Sequence, residues 1–183
     1  MTDPLRPRGR LVLVPNALDH GNDPVALEQV LPHGVMARAA TLQHWVVEDA
    51  RSARAYLKRV SAIHPLAAPL QALSLVELPR PRKGTREPAP AADTLQHLLQ
   101  PAEEGHDVGL LSEAGLPAVA DPGARLVEAA HAAGIGVEVL AGPSSLVLAL
   151  AASGLNGQSF AFVGYLPQDA DARRQRLREL EAR

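Results

Sequence analysis

The sequence predicts an α/β protein with a mainly parallel sheet flanked by helices, and three observations predict it. Short apolar runs of strand length recur along the 183 residues. Segments with apolar residues at three- and four-residue spacing separate those runs. The joints between them carry Pro, Gly, Ser and Asp, the residues of strand-to-helix turns. Repeated βα units imply parallel pairing, and parallel sheets bind ligands beyond the carboxyl ends of their strands.

The elements follow in order. Leu11–Val14 reads as a buried strand closed by Pro15 and Asn16. Asp23–Leu31 reads as a helix, with Asp23 as N-cap, Pro24 in the first turn and Val25, Leu27 and Val30 on its apolar side. Leu42–Val47 is a second strand. Glu48–Val60 has helical spacing at Ala50, Ala53, Leu57 and Val60, with Arg51, Arg54, Lys58 and Arg59 elsewhere around it. Leu70–Leu78 is a third strand, placed near an edge. Pro79–Pro90 is a loop made locally basic by Arg80, Arg82, Lys83 and Arg86. Asp93–Leu99 is helical and His106–Leu111 a buried strand. Asp121-Pro122 opens a helix that runs to Ala133 and stops at Gly134. Val137–Leu140 is a strand and Ser144–Ala152 an apolar helix ending before Gly154. Phe160–Tyr165 is the last strand pattern, and Asp169–Arg183 a charged helix.

Composition narrows the function. Lys and Arg number 18 against 20 Asp and Glu, a formal net charge of −2, so no global field draws the chain to nucleic acid or anionic membrane. The absence of cysteine excludes disulfides and thiolate-held metals, and a reducing cytoplasm fits best. Aromatics are only 3%, which leaves few platforms for stacking on bases. The longest apolar stretch, Leu146–Ala152, is far short of a membrane span, and no apolar segment follows a basic start.

Two turns can carry chemistry. Ser112-Glu113-Ala114-Gly115-Leu116-Pro117-Ala118 and the residues up to Gly123 follow a buried strand and end by capping a helix. Small residues with glycine and proline let backbone groups face a ligand closely and rigidly. Ala141-Gly142-Pro143-Ser144-Ser145 lies between a strand and a helix start, where hydroxyls and amides suit a carboxylate or a ribose. The acidic pair Glu48-Asp49 suits a helix start, and a carboxylate beyond a strand end also suits a base. Arg51 and Arg54 suit phosphate. There is no dinucleotide or Walker loop, no zinc-binding His pair and no serine elbow, so no metal is expected and the seven histidines read as bystanders.

Residues Val108 to Pro167 resemble the tetrapyrrole methylase superfamily, and within it the branch that holds the small-subunit ribosomal RNA ribose 2′-O-methyltransferase. The branch's Ser-Asp-Ala-Gly-Thr-Pro turn reads here Ser112-Glu113-Ala114-Gly115-Leu116-Pro117, followed by Asp121-Pro122-Gly123. Its Pro-Gly-Pro-Ser turn reads Ala141-Gly142-Pro143-Ser144, and its Glu-Gly-Phe-Leu-Pro segment reads Val163-Gly164-Tyr165-Leu166-Pro167. Its Glu-Asp-Thr-Arg motif reads Glu48-Asp49-Ala50-Arg51, and Pro15 aligns with the proline of its first-strand loop. The substitutions make the chain look like a divergent sister group.

The resemblance implies methyl transfer from S-adenosylmethionine, with ribosomal RNA or a small molecule as acceptor and a homodimer as the assembly. It implies cofactor contacts at Pro15, at Ser112–Ala118 and at Gly142, Pro143, Ser144 and Ser145. Glu48 or Asp49 would take the acceptor's proton, and Arg51 and Arg54 would hold phosphate. It also implies residues 1–156 as a cofactor-cleft domain, 157–183 as the beginning of a second α/β domain, and a chain cut from a longer protein. A tetrapyrrole methyltransferase and a non-catalytic RNA-binding module on the same fold are the rival expectations.

Overall fold

The computed structural model describes residues 7–18, 25–79 and 92–182. Two compact units divide the chain, residues 1–148 and residues 149–183. The first is built on strands β1 (Arg10–Val14), β2 (His44–Val47), β3 (Ser74–Glu77), β4 (Val108–Leu111) and β5 (Gly136–Val139). All are parallel, in the order β3-β2-β4-β1-β5. Helices α1 (His33–Ala40), α2 (Ala50–Ser61), α3 (Ala92–Glu103) and α4 (Gly123–Ala132) cover it. The expected parallel sheet with helices on both faces is therefore present, and β3 lies at the edge as expected.

The central strands are apolar throughout because both of their faces are covered. Val12, Val14, Trp45, Val47 and Leu111 point to one face and pack with Met36 and Ala39 of α1 and Tyr56, Leu57 and Val60 of α2. Leu11, Leu13, Val46, Val108 and Leu110 point to the other and pack with Leu95 and Leu99 of α3 and Leu126 and Ala130 of α4. Each such fully buried aliphatic side chain contributes roughly 1.5–3 kcal/mol. The register sets Val12 beside Gly109 and Gly109 beside Trp45 in one cross-strand row. A Cβ on Gly109 would lie 2.6 Å from the Trp45 ring, so the indole fills the space that Gly109 leaves.

Some expectations need correction. In place of a helix over Asp23–Leu31 the described residues show one 3-10 turn, Leu27–Gln29, and the helix begins at His33, behind Pro32. Proline disfavours helical backbone in the residue before it, so helix cannot run through Leu31. Asp23 and Pro24 lie outside the described residues, as does the basic stretch Arg80–Arg86. Only Ser74–Glu77 of Leu70–Leu78 is strand, preceded by a 3-10 turn at Leu70–Ala72.

In the second unit, helix α6 (Ala170–Glu181) starts at Asp169, whose carboxylate accepts from the Asp171 and Ala172 amides. The apolar helix α5 (Ser145–Ser153) contains the boundary between the units and buries no side chain. Phe160–Tyr165 is not a strand: among the described residues no strand pairs with it, and Phe160, Phe162 and Tyr165 are exposed. A strand pattern without a partner has no ladder to join.

One ion network ties α1 to β5 and to the starts of β1 and β4. The Arg38 guanidinium on α1 donates to Asp107 Oδ2 at 2.6 Å and Glu138 Oε2 at 2.8 Å, and Asp107 Oδ1 accepts from the Arg10 amide at 2.8 Å. Burial pushes the Asp107 carboxyl up, but the Arg38 guanidinium and the Arg10 amide outweigh it and hold the group below its ordinary value. A depressed carboxyl stabilises the fold above its unfolded-state value near about 4 and loses that contribution as pH falls. Arg38→Gln should therefore cost about 1–2 kcal/mol at neutral pH. It should cost less as pH falls from ~4 toward the depressed value at which Asp107 protonates in the fold. Urea midpoints of both proteins across that range check this, and parallel curves would refute it.

Candidate functional site

Four loops meet at the carboxyl edge of the sheet because β2, β4, β1 and β5 are consecutive neighbours. β1 runs into Pro15 and Asn16, β2 into Glu48 and Asp49, β4 into Ser112–Pro122, and β5 into Leu140–Ser144. The chain leaves β1 toward the face that α1 and α2 cover, and leaves β4 toward α4 on the opposite face. Adjacent strands whose connections diverge in this way open a crevice between them. Of the expected site residues, Pro15, Glu48, Ser112–Ala118 and Gly142–Ser144 lie along this edge.

The turn after β4 is held by its neighbours. The Asn16 side-chain amide donates to the carbonyls of Glu113 at 2.9 Å and Ser112 at 3.4 Å. Its backbone amide donates to the Gly115 carbonyl at 2.9 Å. From the β2 side, Glu48 Oε2 accepts from the Glu113 amide at 3.0 Å. From the α4 side, Asp121 accepts from the Ala118 amide at 3.0 Å and the Gly123 amide at 2.7 Å. Within this frame Gly115, Ala118 and Ala120 all have positive φ, at 67°, 65° and 59°. Glycine takes that conformation freely, whereas each alanine costs about 1–2 kcal/mol. Such strain persists only where the surroundings over-determine it. Ser112 is buried and its hydroxyl donates to the Ala114 carbonyl at 3.2 Å, so it shapes the turn from inside.

The β5 turn closes against β1. A Cβ on Gly142 would fall 2.1 Å from Pro15 Cβ and 2.5 Å from its Cγ, so the glycine backbone rides directly on the proline ring. A Cβ on Gly115 would meet Leu18 Cδ2 at 3.0 Å and the Pro143 carbonyl oxygen at 3.5 Å, which brings the three turns together.

The acidic residues take separate places. Asp49 is the N-cap of α2 and accepts from the Ser52 amide at 2.7 Å. Glu48 and Asp121 meet Ser112, Pro117, Leu110 and Leu111 along a closely packed seam with no room for a water molecule. Burial raises the Asp121 carboxyl, its two amide bonds oppose this, and the neighbouring charge of Glu48 adds to the rise. Arg51 and Arg54 are exposed on α2. Ser145 is the first residue of α5. Asn16 is the residue that sequence reasoning missed. Its signal was an asparagine directly after a strand-ending proline, a residue type that bonds backbone in turns. Among the described residues, no group of three or more His, Cys, Asp or Glu is placed to hold a metal ion, and no helix is long and apolar enough to cross a membrane.

A parallel sheet with strained, small-residue turns at a point where its connections diverge places this chain in the class of α/β proteins whose ligand sites, where they have one, lie at that edge. Residues 44–183 match the family described as Tetrapyrrole (Corrin/Porphyrin) Methylases, and the chain belongs to that family. Over 89 residues it is 46% identical to ribosomal RNA small subunit methyltransferase I of Xylella fastidiosa, covering 48% of this chain and 33% of that protein. The protein of that name from Halalkalibacterium halodurans is 44% identical over 84 residues, covering 46% and 29%. That of Thermotoga maritima is 41% identical over 80 residues, covering 44% and 36%. The chain thus spans about a third of the length of the curated relatives it matches. Among solved structures, uroporphyrin-III-C-methyltransferase from Thermus thermophilus aligns with a TM-score of 0.46 and 26% identity, covering 81% of this chain and 54% of that one.

Proposed function

We propose that the chain belongs to an S-adenosylmethionine-dependent methyltransferase that acts on ribosomal RNA at a ribose 2′-hydroxyl. The observation that carries the reading is the 41–46% identity to several proteins named as ribosomal RNA small subunit methyltransferase I. The turns at the carboxyl edge support it. The residues fit the cofactor: the amides of Ala114, Leu116, Gly142 and Ser144 make no hydrogen bond among the described residues. With the hydroxyls of Ser144 and Ser145 they supply donors for a carboxylate and for ribose oxygens.

When bound, S-adenosylmethionine supplies an electrophilic methyl group on a sulfonium that is itself the leaving group. The chain's task is then to bind and orient. Pro15 with the Gly142 turn, and the Ser112–Ala118 turn packed against them, present those donors side by side at the carboxyl edge. Glu48, at the crevice, accepts the proton that the acceptor hydroxyl loses. Asp49 holds α2 in place behind it, and Arg51 and Arg54 take phosphate. The same reading carries a cytoplasmic location and a homodimer.

Titration of S-adenosylhomocysteine into this chain by calorimetry tests the cofactor assignment. Saturable heat at micromolar concentrations is expected, and no heat from folded protein would sink it. Methyl transfer to small-subunit ribosomal RNA should then leave one position resistant to alkaline cleavage, as loss of a 2′-hydroxyl requires.

A further inference from the structure

We propose that the outward face of α2 is a track for the RNA backbone, leading to the carboxyl edge of the sheet. The proposal rests on the reading of the chain as an RNA methyltransferase, and adds to it a surface, a direction and a third cation. α2 contains Arg51, Arg54, Lys58 and Arg59 and no acidic residue, in a chain of net charge −2. Ala53, Tyr56, Leu57 and Val60 bury one side of the helix. At 3.6 residues per turn, Arg51, Arg54 and Lys58 fall within about 60° of one another on the opposite side. All three are exposed. Arg59 is turned aside, its guanidinium donating to the Val25 carbonyl. The three aligned cations form no salt bridge among the described residues, and Arg54 reaches only the Ala50 carbonyl of its own helix, at 3.4 Å.

The position of Arg51 is the second observation. With Asp49 as N-cap, Arg51 stands in the first turn, which holds no acidic residue. A cation there opposes the helix dipole by roughly 0.3–1 kcal/mol. Lys58, in the last turn, is favoured by the same dipole, so dipole matching explains one end of the stripe and is violated at the other. The violation falls at the end next to Glu48 and the crevice, and a local rule broken there marks function. From Arg51 the stripe runs away from the crevice for about 10 Å. Ala55, the small residue between the cations, offers nothing for a base to stack on. The face therefore suits the repeated charge of a phosphodiester chain, held without regard to sequence.

Anisotropy of a fluorescein-labelled single-stranded oligouridine bound to this chain, across a series of KCl concentrations, reads the number of phosphates neutralised. Each contact adds about 0.7 to the slope of log affinity against log salt. Arg51→Gln/Arg54→Gln/Lys58→Gln should lower the slope by about 2, and Lys58→Gln alone by about 0.7, with thermal midpoints unchanged. Arg51→Lys/Arg54→Lys should keep it. Replacing Arg173, Arg174 and Arg176 of α6 with Gln should also keep it, because carbonyls and carboxylates of their own unit already engage them. An unchanged slope in the triple variant, an equal fall in the α6 variant, or no RNA binding by the parent chain would each overturn the track. Cofactor titration separates the two ideas. Retained S-adenosylhomocysteine binding beside an unchanged slope removes the track and leaves the methyltransferase. No cofactor binding by the parent removes the methyltransferase whatever the slope.

Discussion

Gly109→Val should destabilise the protein by about 3–5 kcal/mol, the largest effect expected of any single glycine in the sheet. The Cβ alone would sit 2.6 Å and 2.7 Å from Cε3 and Cζ3 of Trp45. Trp45 is 1% exposed and its Nε1 donates to the Leu42 carbonyl at 3.2 Å, so the ring cannot step aside without breaking that bond and the packing under α1 and α2. Overpacking costs about 1–3 kcal/mol, and an orphaned buried donor adds a similar amount. The urea midpoint should fall with the slope of the transition unchanged. In a Trp45→Leu background the same substitution should cost far less, since the ring it strikes is gone. A loss below about 1 kcal/mol in the parent would show that the row is more plastic than its geometry states.

Gly142→Ala should act on binding in place of stability. Its Cβ would overlap the Pro15 ring at 2.1 Å, and so force the β5 turn away from the end of β1. Gly142 is exposed and outside both hydrophobic clusters, so the urea midpoint should hardly move. If these turns hold the cofactor, affinity for S-adenosylhomocysteine should fall at least about tenfold, because small displacements at a positioned site are costly. Calorimetry on parent and variant decides it. Equal affinities would remove the Pro15–Gly142 contact from the site.

What was legible in the chain was what is local. The helical spacing over Glu48–Val60 and the charged run from Asp169 mark α2 and α6, Gly134 stops α4 with φ +67°, and the apolar runs mark β1, β2, β4 and β5. The turns of the candidate site were legible for the same reason, since small residues between strand and helix are a short-range pattern. Relations across the sheet were not. Nothing near Trp45 says that its ring needs a glycine 64 positions later, because strand order decides which residues become neighbours. Asn16 was missed likewise, as the carbonyls that it serves lie 96 and 97 residues away. Helix α1 was hidden by the absence of a polar N-cap, since Pro32 occupies that place. Phe160–Tyr165 misled in the other direction: its alternation is real, but alternation does not supply a partner strand.

The turn after β4 owes its shape to groups that arrive from other parts of the chain, and that orders events in time. Asn16 is synthesised 97 residues before the Glu113 carbonyl that it holds, Glu48 precedes the Glu113 amide by 65, and Asp121 follows Ala118 by three. Until all three are docked, nothing compensates the left-handed backbone of Ala118 and Ala120, and loop-closure entropy opposes the long-range contacts. The turn therefore becomes native only after β1, β2 and β4 are side by side. A nascent chain released short of Asp121 would have most of its sheet and no competent crevice.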